Sequence, residues 1–97
     1  MNMQAMLQQA QKLQKDIMKE KKIIDEKVFV SSQSMVEVEM KGTKEITKIK
    51  IMVDSLDKED IEILEDMIML AVNENLEKIN KETEAKLGKF GGAAGLL

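Results

Sequence analysis

Met35-Val36-Glu37-Val38-Glu39-Met40-Lys41-Gly42-Thr43-Lys44-Glu45-Ile46-Thr47-Lys48-Ile49-Lys50-Ile51-Met52-Val53 is the stretch that decides the fold. Val36, Val38 and Met40 alternate with Glu37 and Glu39, and beyond Gly42 the set Thr47, Ile49, Ile51, Val53 alternates with Lys48, Lys50 and Met52. A period of two marks strands with one buried face. A tight turn at Gly42-Thr43, or one residue later, brings both apolar sets to one face. It also sets Glu37 and Glu39 opposite Lys48 and Lys50, where each opposite-charge pair is worth roughly 0.2–1 kcal/mol. Upstream, Lys27-Val28-Phe29-Val30 reads as a short strand and Ser31-Ser32-Gln33-Ser34 as a polar turn. The expectation is a three-stranded antiparallel meander.

On either side the period lengthens. Met3, Met6, Ala10, Leu13, Ile17 and Ile24 fall at alternating steps of three and four, with Glu20 in the one missing position. No Gly or Pro interrupts them, so this is a helix with a coiled-coil-like seam. After the sheet, Asp54-Ser55 offers a cap, and Asp57, Glu59, Asp60 and Glu62 supply the negative charge that a helix N-terminus favours. Ile61, Leu64, Ile68, Ala71, Val72, Leu76, Ile79 and Leu87 keep helical spacing, with one helix or two equally compatible with the pattern. The predicted chain is α+β: a helix over about 2–24, strands over about 27–31, 35–41 and 45–53, and a helical region over about 57–87. These form one domain, 1–87, followed by a Gly/Ala-rich tail, 88–97, expected to be flexible.

Both helices are longer than the sheet: about 33 and 45 Å against strands of about 23 Å. Their overhanging seams are expected to pair as an arm. A chain of 97 residues with two aromatics and nine methionines builds a lean core. Phe29, Met35, Ile46 and Met52 are assigned to the second face of the sheet, where a second copy would cover them across a two-fold axis. The predicted assembly is a homodimer with two projecting helical arms.

Composition removes much chemistry. There is no cysteine, histidine or arginine; all fifteen basic residues are lysine. That excludes thiolate sites, disulfides and the usual general base. No run reaches the roughly 18 apolar residues of a membrane span. We expect no enzyme activity, cofactor, metal or small-molecule substrate, and a cytoplasmic protein.

The net charge of −3 is unevenly spread. Residues 54–77 hold nine acids and one lysine, whereas 1–30 hold six lysines and four acids. Local fields of this kind matter more to a polyanion than the total. Lys12, Lys15, Lys19 and Lys22 step by three, four and three along the face of the first helix opposite its seam. Such a stripe can lie along phosphates, each contact releasing counterions; it can equally be a solvated helix face partly neutralised by Asp16, Glu20, Asp25 and Glu26. Lys78, Lys81, Lys86 and Lys89 form a looser basic group that an antiparallel second helix would bring to the same arm.

The opening Met3-Gln4-Ala5-Met6-Leu7-Gln8-Gln9-Ala10-Gln11-Lys12-Leu13-Gln14 resembles the Met-, Gln- and Lys-rich first helix of YbaB/EbfC proteins. Val36 to Gly42 resembles that family's second strand and turn, and Ile49 to Asp54 its third strand. Asp60 to Ile68, followed by Ala71-Val72-Asn73-Glu74, is similar to its acidic C-terminal helical opening. The resemblance implies a tweezer-shaped homodimer that grips double-stranded DNA with its helical arms, with roles in nucleoid organisation and gene regulation. Carried over by position, it assigns DNA contact to Lys12, Lys15, Lys19, Lys22, Lys78, Lys81, Lys86 and Lys89. Lysine at arm positions that can be arginine in relatives implies looser, more salt-sensitive phosphate contacts. The rival from another class is a prefoldin-like holdase or a protein-binding dimeric adaptor, for which apolar arm tips would be the mark.

Overall fold

In the computed structural model, which describes residues 2–91, the elements follow the order helix, three strands, helix. They are α1 (Met3–Glu26), β1 (Val28–Gln33), β2 (Val36–Lys41), β3 (Ile46–Ile51) and α2 (Asp60–Leu87). Asn2 caps α1 by accepting from the backbone N–H groups of Gln4 and Ala5 through its side-chain oxygen, which satisfies donors the helix cannot. The second helical region is one continuous helix, so the question of one or two is decided for one. Asp54-Ser55 is not its cap. The helix begins five residues later at Asp60, whose carboxylate accepts from the backbone N–H of Asp57.

The sheet has the order β1-β2-β3, both pairs antiparallel. Glu37 stands opposite Lys50 and Glu39 opposite Lys48, the register that the alternation requires. Neither of the expected cross-strand ion pairs closes among the described residues, and Glu39 Oε2 instead accepts from the Thr47 hydroxyl at 2.7 Å. Thr47 is the extra residue of a bulge, which puts Met40 opposite Ile46. Strand β1 runs two residues further than the sequence suggests. Ser31 is buried, and its hydroxyl donates to Asn75 Oδ1 at 2.8 Å. The chain then turns at Ser34, with φ 47.

One helix covers the sheet. Val36, Val38, Leu64 and Ala71 form one core cluster, with Met35, Met67, Ile68 and Val72 against it; Phe29, Met40 and Ile79 form the next. Helix α2 packs on β1 and β2. A helix about 10 Å across spans two strands at about 4.8 Å spacing, and the third is left out. Ile49 and Ile51 lie on the same face as Val36 and Val38, as expected, yet each stays 45% exposed. The core therefore belongs to β1, β2 and α2, with β3 as an uncovered edge.

This geometry corrects the assignment of the second sheet face. Phe29 pairs with Met40, faces α2 and is only 6% exposed, so it is a core residue of its own chain. Ile46 also shares the α2 face through Met40, but lies beyond the helix and is exposed. Met35 is a turn residue packed against the first core cluster. Met52, just past β3, is exposed. Val28 and Val30, which alternate with Phe29, are the apolar residues of β1 that turn away from α2.

The overhang of the two helices is used once. The last turns of α2 meet the second half of α1, where Ile17 and Ile24 are buried and Ile24 borders one concavity with Ile79 and Leu87. Helix α2 does not stop cleanly at the predicted tail: Gly88 to Gly91 continue as a 3-10 turn, in which Lys89 reaches Glu20 at 3.7 Å and Phe90 is half-buried. The rest of the predicted flexible tail, 92–97, lies outside the described residues. Among the described residues nothing packs on the first half of α1, and the molecule measures 71 × 18 × 15 Å.

Candidate nucleic-acid interface

Helix α1 has two opposed faces. The seam that includes Ile17 and Ile24 turns toward α2. At about 100° per residue, Lys12, Lys15, Lys19 and Lys22 lie on the far side, with Gln8 extending the row. All four are exposed, and none forms an ion pair among the described residues. Asp16, Glu20 and Asp25 fall toward the flanks and the seam, whereas Glu26, one turn beyond Lys22, falls on the row itself and closes its C-terminal end. Glu20 is turned to Lys89. The stripe therefore presents four cations over about 15 Å of helix.

The second group behaves differently. Lys78 Nζ donates to the Val30 carbonyl at 2.7 Å and stands 3.9 Å from Glu74. Lys81 pairs with Glu77 at 3.1 Å, and Lys89 with Glu20. Only Lys86 of these four lacks an ion pair among the described residues. The structure brings Lys78, Lys81 and Lys86 together with Lys27 around a shallow groove beside Phe29, with Lys89 at the junction with α1. The two groups thus share one body but not one face.

Sequence reasoning passed over Lys27. Its Nζ sits 2.7 Å from both oxygens of Glu82 and 5.4 Å above the Phe29 ring. It ties the start of β1 to α2, and nothing in the local pattern signals a partner 55 residues away. Lys21 and Lys44 were also missed; both border a concavity where the end of α1 meets the β2–β3 turn.

The arrangement holds cations in an extended row. Among the described residues, no group of three His, Cys, Asp or Glu side chains is placed to hold a metal ion, and no helix is long and apolar enough to cross a membrane.

A slender α+β body with a projecting lysine-bearing helix presents the kind of extended cationic surface that suits a nucleic-acid backbone. Comparison with known proteins makes this specific. The model of the YbaB/EbfC DNA-binding family matches residues 1–94, and the chain belongs to that family. A nucleoid-associated protein of Lactococcus lactis subsp. cremoris is 47% identical over 92 residues, covering 93% of each chain. One from Enterococcus faecalis is 40% identical over 91 residues, 92% of this chain and 88% of its own. One from Streptococcus pneumoniae is 40% identical over 94 residues, 95% of each. The family and these relatives point to DNA binding at the nucleoid.

Proposed function

We propose that this chain grips duplex DNA as a cytoplasmic homodimer, through lysines on the outer face of α1, and so serves nucleoid organisation and gene regulation. The observation that carries the reading is the contrast between the lysine groups. Lys12, Lys15, Lys19 and Lys22 stand exposed without ion pairs, on a helix face that packs against nothing among the described residues. A cation already paired must give up its partner before it neutralises a phosphate; an unpaired one does so at no such cost. Lys86 joins the stripe as an available cation, with Lys78, Lys81 and Lys89 as secondary contacts.

The homodimer reading is supported by the uncovered edge. Ile46, Ile49 and Ile51 stand exposed on the face that α2 fails to reach, and Met52 follows them. Glu74, Lys78 and Glu82 reach β1, which turns Ile68 and Val72 on the opposite flank of α2 toward β3. A contiguous apolar strip beside an unpaired strand edge is what a second copy covers.

The test is fluorescence anisotropy with a labelled duplex from about 20 to 200 mM salt, with protein quantified without absorbance at 280 nm because Trp and Tyr are absent. Affinity falling steeply with salt is the expected result; no binding at the lowest salt overturns the reading. One observation favours a second reading, a holdase: the free half of α1 exposes Met3 (82%), Met6 and Leu7. Suppression of aggregation of a denatured client, without DNA binding, would establish it.

A further inference from the structure

The β2–β3 turn holds a residue its backbone does not favour. Gly42, Thr43 and Lys44 form a three-residue loop, closed by Lys44 N–H to the Lys41 carbonyl at 2.8 Å and Lys41 N–H to the Glu45 carbonyl at 2.9 Å. In such loops the last residue takes a left-handed conformation, where glycine sits without steric cost. Here that residue is Lys44, at φ 76. The loop's glycine is elsewhere because Gly42 is needed elsewhere. A Cβ on Gly42 would fall on the backbone carbonyl of Ile24 at the end of α1. The loop thus contains a glycine, but not at its left-handed position, and carries a strained cation at that position.

That cation stands at a defined place. Lys44 and Lys21 border one concavity, together with Thr43, Asn80, Thr83 and the single acid Asp25. Lys21 and Asp25 also border the adjoining depression, whose other walls are Met18 and Lys22. Lys22 is the last member of the outer stripe of α1. The cations therefore run from Lys22 through Lys21 to Lys44 around the end of the helix. Neither Lys21 nor Lys44 forms an ion pair among the described residues.

We propose that Lys44, with Lys21, binds phosphate and extends the DNA track from the α1 stripe onto the sheet body at the base of the arm. This rests on the DNA-binding reading above. The strain at Lys44 separates phosphate binding from a structural role, because folding and binding then ask for different residues. A turn chosen for stability alone would carry glycine or asparagine at this position.

The experiment compares wild type with Lys44→Gly, Lys44→Asn and Lys21→Gln, by thermal melting and by anisotropy with a duplex over a salt series. Lys44→Gly should melt a few degrees higher than wild type and bind the duplex roughly 2–5-fold more weakly at 50 mM salt. The slope of log affinity on log salt should become shallower by about 0.9, the value for one neutralised phosphate. Lys44→Asn and Lys21→Gln should lose the same increment of slope. Affinity and slope unchanged in Lys44→Gly and Lys44→Asn, whatever the melting temperature, would overturn the proposal while the salt-dependent binding of wild type still upheld the broader reading. Wild type failing to bind at any salt would overturn both.

Discussion

Asn75, on α2, donates from Nδ2 to the backbone carbonyl of Val38 across 2.8 Å, at the centre of β2 where both residues are fully buried. The same side chain accepts the Ser31 hydroxyl from β1. One amide thus sets the position of the helix over two strands, and both its oxygen and its nitrogen find partners within the protein. Buried polar groups that are fully paired specify one arrangement, whereas loose apolar contacts such as those of methionine allow several.

Asn75→Leu should lower stability by about 1–3 kcal/mol, since it leaves the Ser31 hydroxyl buried without a partner and strips the Val38 carbonyl of its side-chain donor, leaving that carbonyl only its bond in the β1–β2 ladder. Urea unfolding followed by far-UV circular dichroism reads this directly. The double variant Asn75→Leu with Ser31→Ala should recover part of the loss, because one orphaned group is then gone. A double variant no more stable than the single one would show that the Ser31 hydroxyl costs nothing when unpaired.

Gly42→Ala should cost about 2–3 kcal/mol. Its Cβ would meet the carbonyl of Ile24, which is backbone and moves only with the end of α1. The turn itself does not need glycine there, so the destabilisation measures how closely α1 is held to the sheet. Chemical denaturation and hydrogen exchange at residues 20–28 are the readouts, with faster exchange expected in the variant.

The quadruple change of Lys12, Lys15, Lys19 and Lys22 to Gln should leave the unfolding midpoint nearly unaltered. It should reduce the salt slope of DNA binding by about 3–4, at about 0.9 for each phosphate no longer neutralised. The matching triple change of Lys78, Lys81 and Lys89 to Gln should alter the slope by less than about 0.9, because those lysines are already held by Glu74, Glu77 and Glu20. Equal slopes in the two variants would sink the distinction between the groups.

Ile49→Asp should yield a folded chain that sediments as a monomer. The side chain is 45% exposed on a strand that α2 does not cover, so its own protomer has little to lose. A second copy on that edge would have to bury the new charge, which is costly without a partner. Analytical ultracentrifugation with circular dichroism gives both answers. A folded variant that stays dimeric would move the interface away from β3.

The alternation from Val36 to Ile51 was enough to determine two strands, β2 and β3, and the pairing of Glu37 with Lys50, because side chains alternate strictly between the faces of a strand. Steps of three and four determined both helices and placed Lys12, Lys15, Lys19 and Lys22 on one outer face, since that follows from helical geometry alone. These are local consequences of backbone period, and they need no knowledge of what packs where. Tertiary structure alone decided which apolar face was covered. Phe29 entered the core and Ile49 did not, because α2 is wide enough for two strands and settles over β1 and β2. It alone decided which lysines were available, since the partners of Lys27 and Lys89 lie more than fifty residues away in sequence. It also decided that Gly42 is required by the carbonyl of Ile24 rather than by its own turn. Each of these depends on distances between elements, and those are set by how side chains of particular size fill the space between a helix and a sheet.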